Sequence, residues 1–188
     1  MKSTTNRRES VIALLVWVSA GLVVQAETPS FAEASKPFQY DSSAPLDLKE
    51  VSVEPREGAI AHEVSYASPK GGAVTAFIVI PEGKGPFAGI VYQHWGFGNR
   101  NEFLPETLLM AKAGAVCISV DGPWNRPGKD PVEAQITHFT HPEIDRDSYV
   151  QTVIDLRRAV DVVLSRPGVD PKRIGFVGHS FGATWGGS

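Results

Sequence analysis

Three short apolar runs dominate the chain: Phe87-Ala88-Gly89-Ile90-Val91-Tyr92, Ala115-Val116-Cys117-Ile118-Ser119-Val120 and Arg173-Ile174-Gly175-Phe176-Val177. Runs this short and this apolar suit strands buried on both faces, the environment of a parallel sheet covered by helices. Between the first two, Phe103, Leu104, Leu108, Met110 and Ala111 recur with helical spacing, and Gly114 stands where a C-terminal cap belongs. Between the second and third, Tyr149, Val153, Leu156, Val160 and Val163 share one helical face, while Arg157, Arg158 and Asp161 fall off it. Strand, helix, strand, helix, strand predicts βαβ units with right-handed crossovers. Upstream, residues 60–66 and 73–80 flank Lys70-Gly71-Gly72 and predict an antiparallel hairpin. Residues 121–142, punctuated by Pro123, Pro127, Gly128 and Pro131, read as a long loop.

The N-terminus has a different character. Lys2, Arg7 and Arg8 precede the uncharged stretch 11–24, and Val24-Gln25-Ala26 places small residues where a signal peptidase cuts. A helix of that length spans about 21 Å, short of the roughly 30 Å hydrocarbon layer. Residues 1–26 are therefore expected to be a signal peptide cleaved near Ala26. The product would be secreted or periplasmic, with no stable membrane association after cleavage. Residues 27–48, rich in Ser, Pro, Ala and Glu, read as a linker or extended arm. The single cysteine, Cys117, allows no internal disulfide and lies in an apolar run, where it is expected to pack as a small hydrophobe. A net charge of −3 without a Lys/Arg cluster gives no surface for nucleic acid.

The third apolar run leads directly into Gly178-His179-Ser180-Phe181-Gly182, and Ala183-Thr184-Trp185 can begin a helix behind it. A strand, a sharp turn and a helix lift a serine hydroxyl clear of the sheet, and Gly178 and Gly182 let the two elements approach closely. Ser180 is the candidate nucleophile; Gly178, His179 and Gly182 complete its elbow. After the first run comes Gln93-His94-Trp95-Gly96-Phe97-Gly98. Acyl transfer needs backbone N–H donors for the developing oxyanion. Phe181, the residue after the nucleophile, is one candidate; Trp95 is the second, with Gly96 as the alternative. His94, Asp121 and Trp124 are candidate pocket-lining residues, Asp121 also as a carboxylate that fixes a loop. His62, His138 and His141 read as structural or surface residues, and no third ligand makes a metal site of His138 and His141.

The segment from Asp170 to Ala183 resembles the nucleophile-elbow region of α/β-hydrolases. It is most similar to dienelactone-hydrolase-like and acetyl-xylan-esterase-like branches and their prolyl-oligopeptidase-type relatives. The resemblance covers residues 60–188. It implies an α/β-hydrolase fold, mostly parallel with an N-terminal antiparallel hairpin, of which residues 49–188 form an incomplete domain truncated after the nucleophile elbow. It implies Ser180 as nucleophile, Trp95 and Phe181 as oxyanion donors, and a catalytic acid and then a catalytic His later in chain order. Dienelactone hydrolases carry Cys where Ser180 stands, which points here to ordinary ester hydrolysis. The eight residues after Ser180 contain no Asp, Glu or His, so the chain as it stands is expected to be inactive and marginally folded. A carboxylic-ester hydrolase acting on a small-molecule ester without a cofactor is the leading expectation. The alternatives are a prolyl-oligopeptidase-type peptidase fragment and a non-catalytic protein that keeps part of the fold.

Overall fold

The computed structural model describes residues 28–186; the expected signal peptide, residues 1–26, lies outside the described residues. Among the described residues, six strands form one mixed sheet: β1 (Lys49–Arg56), β2 (Ala59–Ala67), β3 (Ala73–Pro81), β4 (Phe87–Gln93), β5 (Ala115–Val120) and β6 (Val169–Gly178). Their order is β1-β2-β3-β5-β4-β6. β4 pairs in parallel with both β5 and β6, as the three apolar runs predict. The expected hairpin is β2 and β3, and β3 joins β5 in an antiparallel pairing.

β1 extends the antiparallel part beyond the two strands the pattern indicated. Its burial explains why it was hidden: only Ser52 is even half-buried, and Val51 and Val53 face solvent. With no buried face there is no alternation to read.

Helix α1 (Phe31–Ala34) lies in the N-terminal arm, and the helices α2 (Leu104–Lys112) and α4 (Pro142–Leu164) cover opposite faces of the sheet. Every residue of β5 is buried, and its side chains divide by the period-two rule. Val116, Ile118 and Val120 join Val64, Ile78, Val91, Leu156 and Val163 on the α4 side. Ala115 and Cys117 join Val79, Tyr92 and Ala111 on the α2 side, under Phe103 and Leu108. Burial pushes the Cys117 thiol up to about 12, so it packs as an un-ionised group.

β6 does not meet the expectation of burial on both faces: its residues are exposed or half-buried. Two further expectations need correction. Arg158, read as lying off the buried face of α4, is 2% exposed. The arm passes over it: Arg158 Nη1 donates to Ser42 O at 3.0 Å and to Asp161 Oδ2 at 3.1 Å, and Nη2 donates to Ala44 O. Tyr40 Oη donates to Asp161 Oδ2 at 2.9 Å, so polar bonds dock the segment read as a linker or extended arm onto α4. Second, the long loop contains α3 (Pro131–Thr140), where Asp130 caps the helix by accepting from Val132 N and Glu133 N. Prolines suggested a loop here, yet Pro131 occupies the first turn, where its missing N–H costs nothing. No helix among the described residues is long and apolar enough to cross a membrane.

Candidate active site

The parallel strands β5, β4 and β6 bring three loops to one rim, because parallel neighbours all end at the same side of a sheet. The loops begin at His94, Asp121 and His179. Ser180 joins β6 to the short helix α5 (Phe181–Gly186) and holds φ +52°. A non-glycine residue in that region costs about 1–2 kcal/mol, and such strain concentrates at functional sites. Ser180 is exposed, and its hydroxyl makes no hydrogen bond among the described residues.

The glycines around it are required by contact. A Cβ on Gly178 would lie 2.5 Å from Ala183 N, and one on Gly182 would lie 2.2 Å from Gln93 O. The elbow is seated on the end of β4: His179 N donates to Gln93 O at 3.1 Å, and Gly182 N donates to His179 O at 2.9 Å.

The loop after β4 is held from several sides. His94 is fully buried; its Nδ1–H donates to Trp95 O at 2.6 Å, and its Nε2 accepts from Gly122 N at 2.9 Å. Both ring nitrogens are thereby engaged in joining two loops, and burial lowers the ring's pKa. Asp121, 1% exposed, accepts from Arg100 N at 2.7 Å, Arg100 Nη1 at 2.5 Å and Thr75 Oγ1 at 2.5 Å. Arg100 also pairs with Glu63 on β2. His94 and Asp121 are thus both buried beneath the loops that follow β4 and β5, with their polar atoms bonded to those loops and to β3.

Trp124, 2% exposed, packs edge-on against Trp185 at 4.8 Å, and Trp185 meets Phe181 at 5.0 Å. Trp124 and the mostly buried His138 line a cavity of about 560 Å³ between α3 and α4, which also receives Asp130, Thr137, Ser148 and Gln151. Burial lowers the His138 pKa, partly offset by Asp145. His62 pairs with Glu50 on the β1–β2 ribbon.

The residue that sequence reasoning missed is Glu102. Its Oε2 accepts from Trp95 N at 3.0 Å, and its Oε1 accepts from His179 Nδ1 at 2.5 Å. The candidate donor Trp95 N–H is therefore engaged in this structure. The available signal was a carboxylate between a glycine-rich turn and an apolar helix, a position more often read as a simple helix cap.

A mixed sheet with helices on both faces and a serine on a strand–helix turn at the rim defines the α/β-hydrolase class. The acetyl xylan esterase (AXE1) family model matches residues 38–186, and the chain belongs to that family. An acetyl xylan esterase from Paenibacillus sp. is similar at 25% identity, with a TM-score of 0.56 over 72% of this chain and 46% of that one. Acetyl xylan esterase 1 from Thermoanaerobacterium sp. matches at 16% identity, with a TM-score of 0.64 over 81% of this chain and 50% of that one. A dienelactone hydrolase-like promiscuous phosphotriesterase from metagenomic libraries matches at 21% identity, with a TM-score of 0.55 over 68% and 52%. The chain thus spans about half the length of these solved structures. No curated protein matches.

Proposed function

We propose that this chain carries the nucleophile of a serine carboxylic-ester hydrolase that acts on small-molecule esters. The observation that carries the reading is Ser180 at φ +52°, unpartnered and exposed, on a turn whose glycines admit no Cβ. Its Oγ attacks the ester carbonyl carbon as its proton passes to a base, the bond to the alcohol oxygen breaks, the alcohol leaves carrying that proton, and water later hydrolyses the acyl-serine to the acid and free serine. Phe181 N–H is one oxyanion donor, and an amide of the Trp95–Gly96 turn is the other. The aromatic cluster of Phe181, Trp185 and Trp124 is a water-poor wall beside that point.

Serine is a weak nucleophile without a base. His94 is engaged at both nitrogens, and His179 Nδ1 turns to Glu102. The 188-residue chain is accordingly expected to show no Ser180-dependent turnover of p-nitrophenyl acetate in plain buffer. With imidazole as an external base, an alkyl fluorophosphonate is expected to label Ser180: the Oγ–P bond forms, fluoride leaves and imidazole takes the proton. Peptide mass mapping reads the adduct, and Ser180→Ala is the control. An unlabelled Ser180 would remove the assignment.

The uncharged stretch 11–24 supports export, with cleavage after Ala26. Expressed with its own N-terminus in a bacterial host, the exported protein should begin at Glu27 by N-terminal sequencing. Retention of the uncleaved chain in the cytoplasm would contradict this.

A further inference from the structure

One carboxylate joins the two loops on which the proposed oxyanion donors sit. Glu102 Oε2 holds Trp95 N–H on the β4 loop, and Oε1 holds His179 Nδ1–H on the elbow, two residues before Phe181. The turn is shaped around this carboxylate. A Cβ on Gly98 would lie 2.5 Å from Glu102 Oε2 and 2.6 Å from Trp95 Cδ1, so a side chain there would displace the carboxylate or the indole. The Trp95 peptide is held on its other side as well, since Trp95 O accepts from Gly98 N at 3.0 Å and from His94 Nδ1 at 2.6 Å. The Glu102 backbone is tied back by its own N–H to Asn99 O at 2.9 Å. The Glu102 side chain is 21% exposed and the His179 side chain 59%, so the Trp95 end of the link is partly shielded and the His179 end faces solvent.

We infer that Glu102 is a positioning residue for ester hydrolysis, setting the separation between the β4 loop and the nucleophile elbow and thereby the spacing of the oxyanion donors. The inference rests on Ser180 being the nucleophile. The link is electrostatic and specific to two donors, unlike a packing contact. An oxyanion hole needs its donors within a narrow distance of the charge that develops, and a shift of about 1 Å at a reacting centre can cost about 100-fold in rate.

The test uses the full chain, an alkyl fluorophosphonate and external imidazole, with the rate of Ser180 labelling as the readout. Glu102→Ala should slow labelling by about tenfold or more. Glu102→Gln should recover to within about threefold of the starting protein, because its amide oxygen still accepts from Trp95 N–H and its amide nitrogen can meet His179 in the other tautomer. His179→Phe removes only the elbow end of the link and should slow labelling as Glu102→Ala does. The double variant should then be no slower than either single one, since both break the same connection. If Glu102→Ala proves unfolded by circular dichroism, Glu102→Gln against His179→Phe carries the comparison. Labelling that is unchanged or faster in Glu102→Ala overturns the inference, a faster rate meaning that the carboxylate blocks a donor. Multiplying losses in the double variant overturn it too. Failure of the starting protein to label removes the nucleophile reading and this inference together, a result distinct from normal labelling that ignores Glu102.

Discussion

Gly182→Ala should abolish Ser180 reactivity, with fluorophosphonate labelling falling at least about 100-fold while the fold survives. The added Cβ would stand 2.2 Å from Gln93 O. That oxygen cannot retreat easily, because it belongs to β4, which is paired on both sides, and it accepts the His179 N–H on which the elbow rests. The helix must move instead, carrying Phe181 N–H and Ser180 away from the β4 loop. Overpacking of this kind costs about 1–3 kcal/mol, measurable by urea denaturation beside the labelling rate. Labelling within about threefold of the starting protein would show that the close approach is not needed for reactivity.

The second large effect is expected at Asp121. Asp121→Ala should lower stability by about 3–5 kcal/mol, the usual result of removing one partner of a buried pair. Three donors lose their acceptor together: the Arg100 amide, the Arg100 guanidinium and the Thr75 hydroxyl. The Arg100 guanidinium then keeps Glu63 as its carboxylate partner and the face of the Phe77 ring. Asp121→Asn should cost less, because an amide oxygen replaces one charged acceptor without emptying the site. Chemical denaturation of the three proteins gives the comparison. Since Arg100 lies two residues from Glu102, labelling of Ser180 should also slow in Asp121→Ala. A loss below about 1 kcal/mol would mean that Arg100 finds another partner and that the loop is held elsewhere.

The parallel half of the sheet was legible because β4 and β5 are apolar and largely buried along their length, and β6 repeats the apolar pattern although none of its residues is buried in this structure. β5 is buried at every position and reads as an unbroken apolar run. The elbow was legible for a related reason: its geometry admits few residue types, so Gly178, Ser180 and Gly182 appear together at fixed spacing. What escaped was whatever depends on partners distant in sequence. β1 exposes both faces and exists through its pairing with β2. Arg158 looks like a solvated charge on α4 until the arm, 114 to 116 residues earlier, supplies two carbonyl oxygens to it. Glu102 escaped for the same reason, since the residue that gives it meaning on the elbow, His179, is 77 positions away. Charged side chains carry no periodic signature, and their role is set by the donor they meet.

Arg158 lies 2% exposed beneath the arm, its guanidinium bonded to Ser42 O, Ala44 O and Asp161 Oδ2. Proteolytic trimming of the arm past Ala44 would strip a buried cation of the two carbonyl oxygens that replace its water. The integrity of the N-terminal segment is thus written into the core of the domain and not only onto its surface.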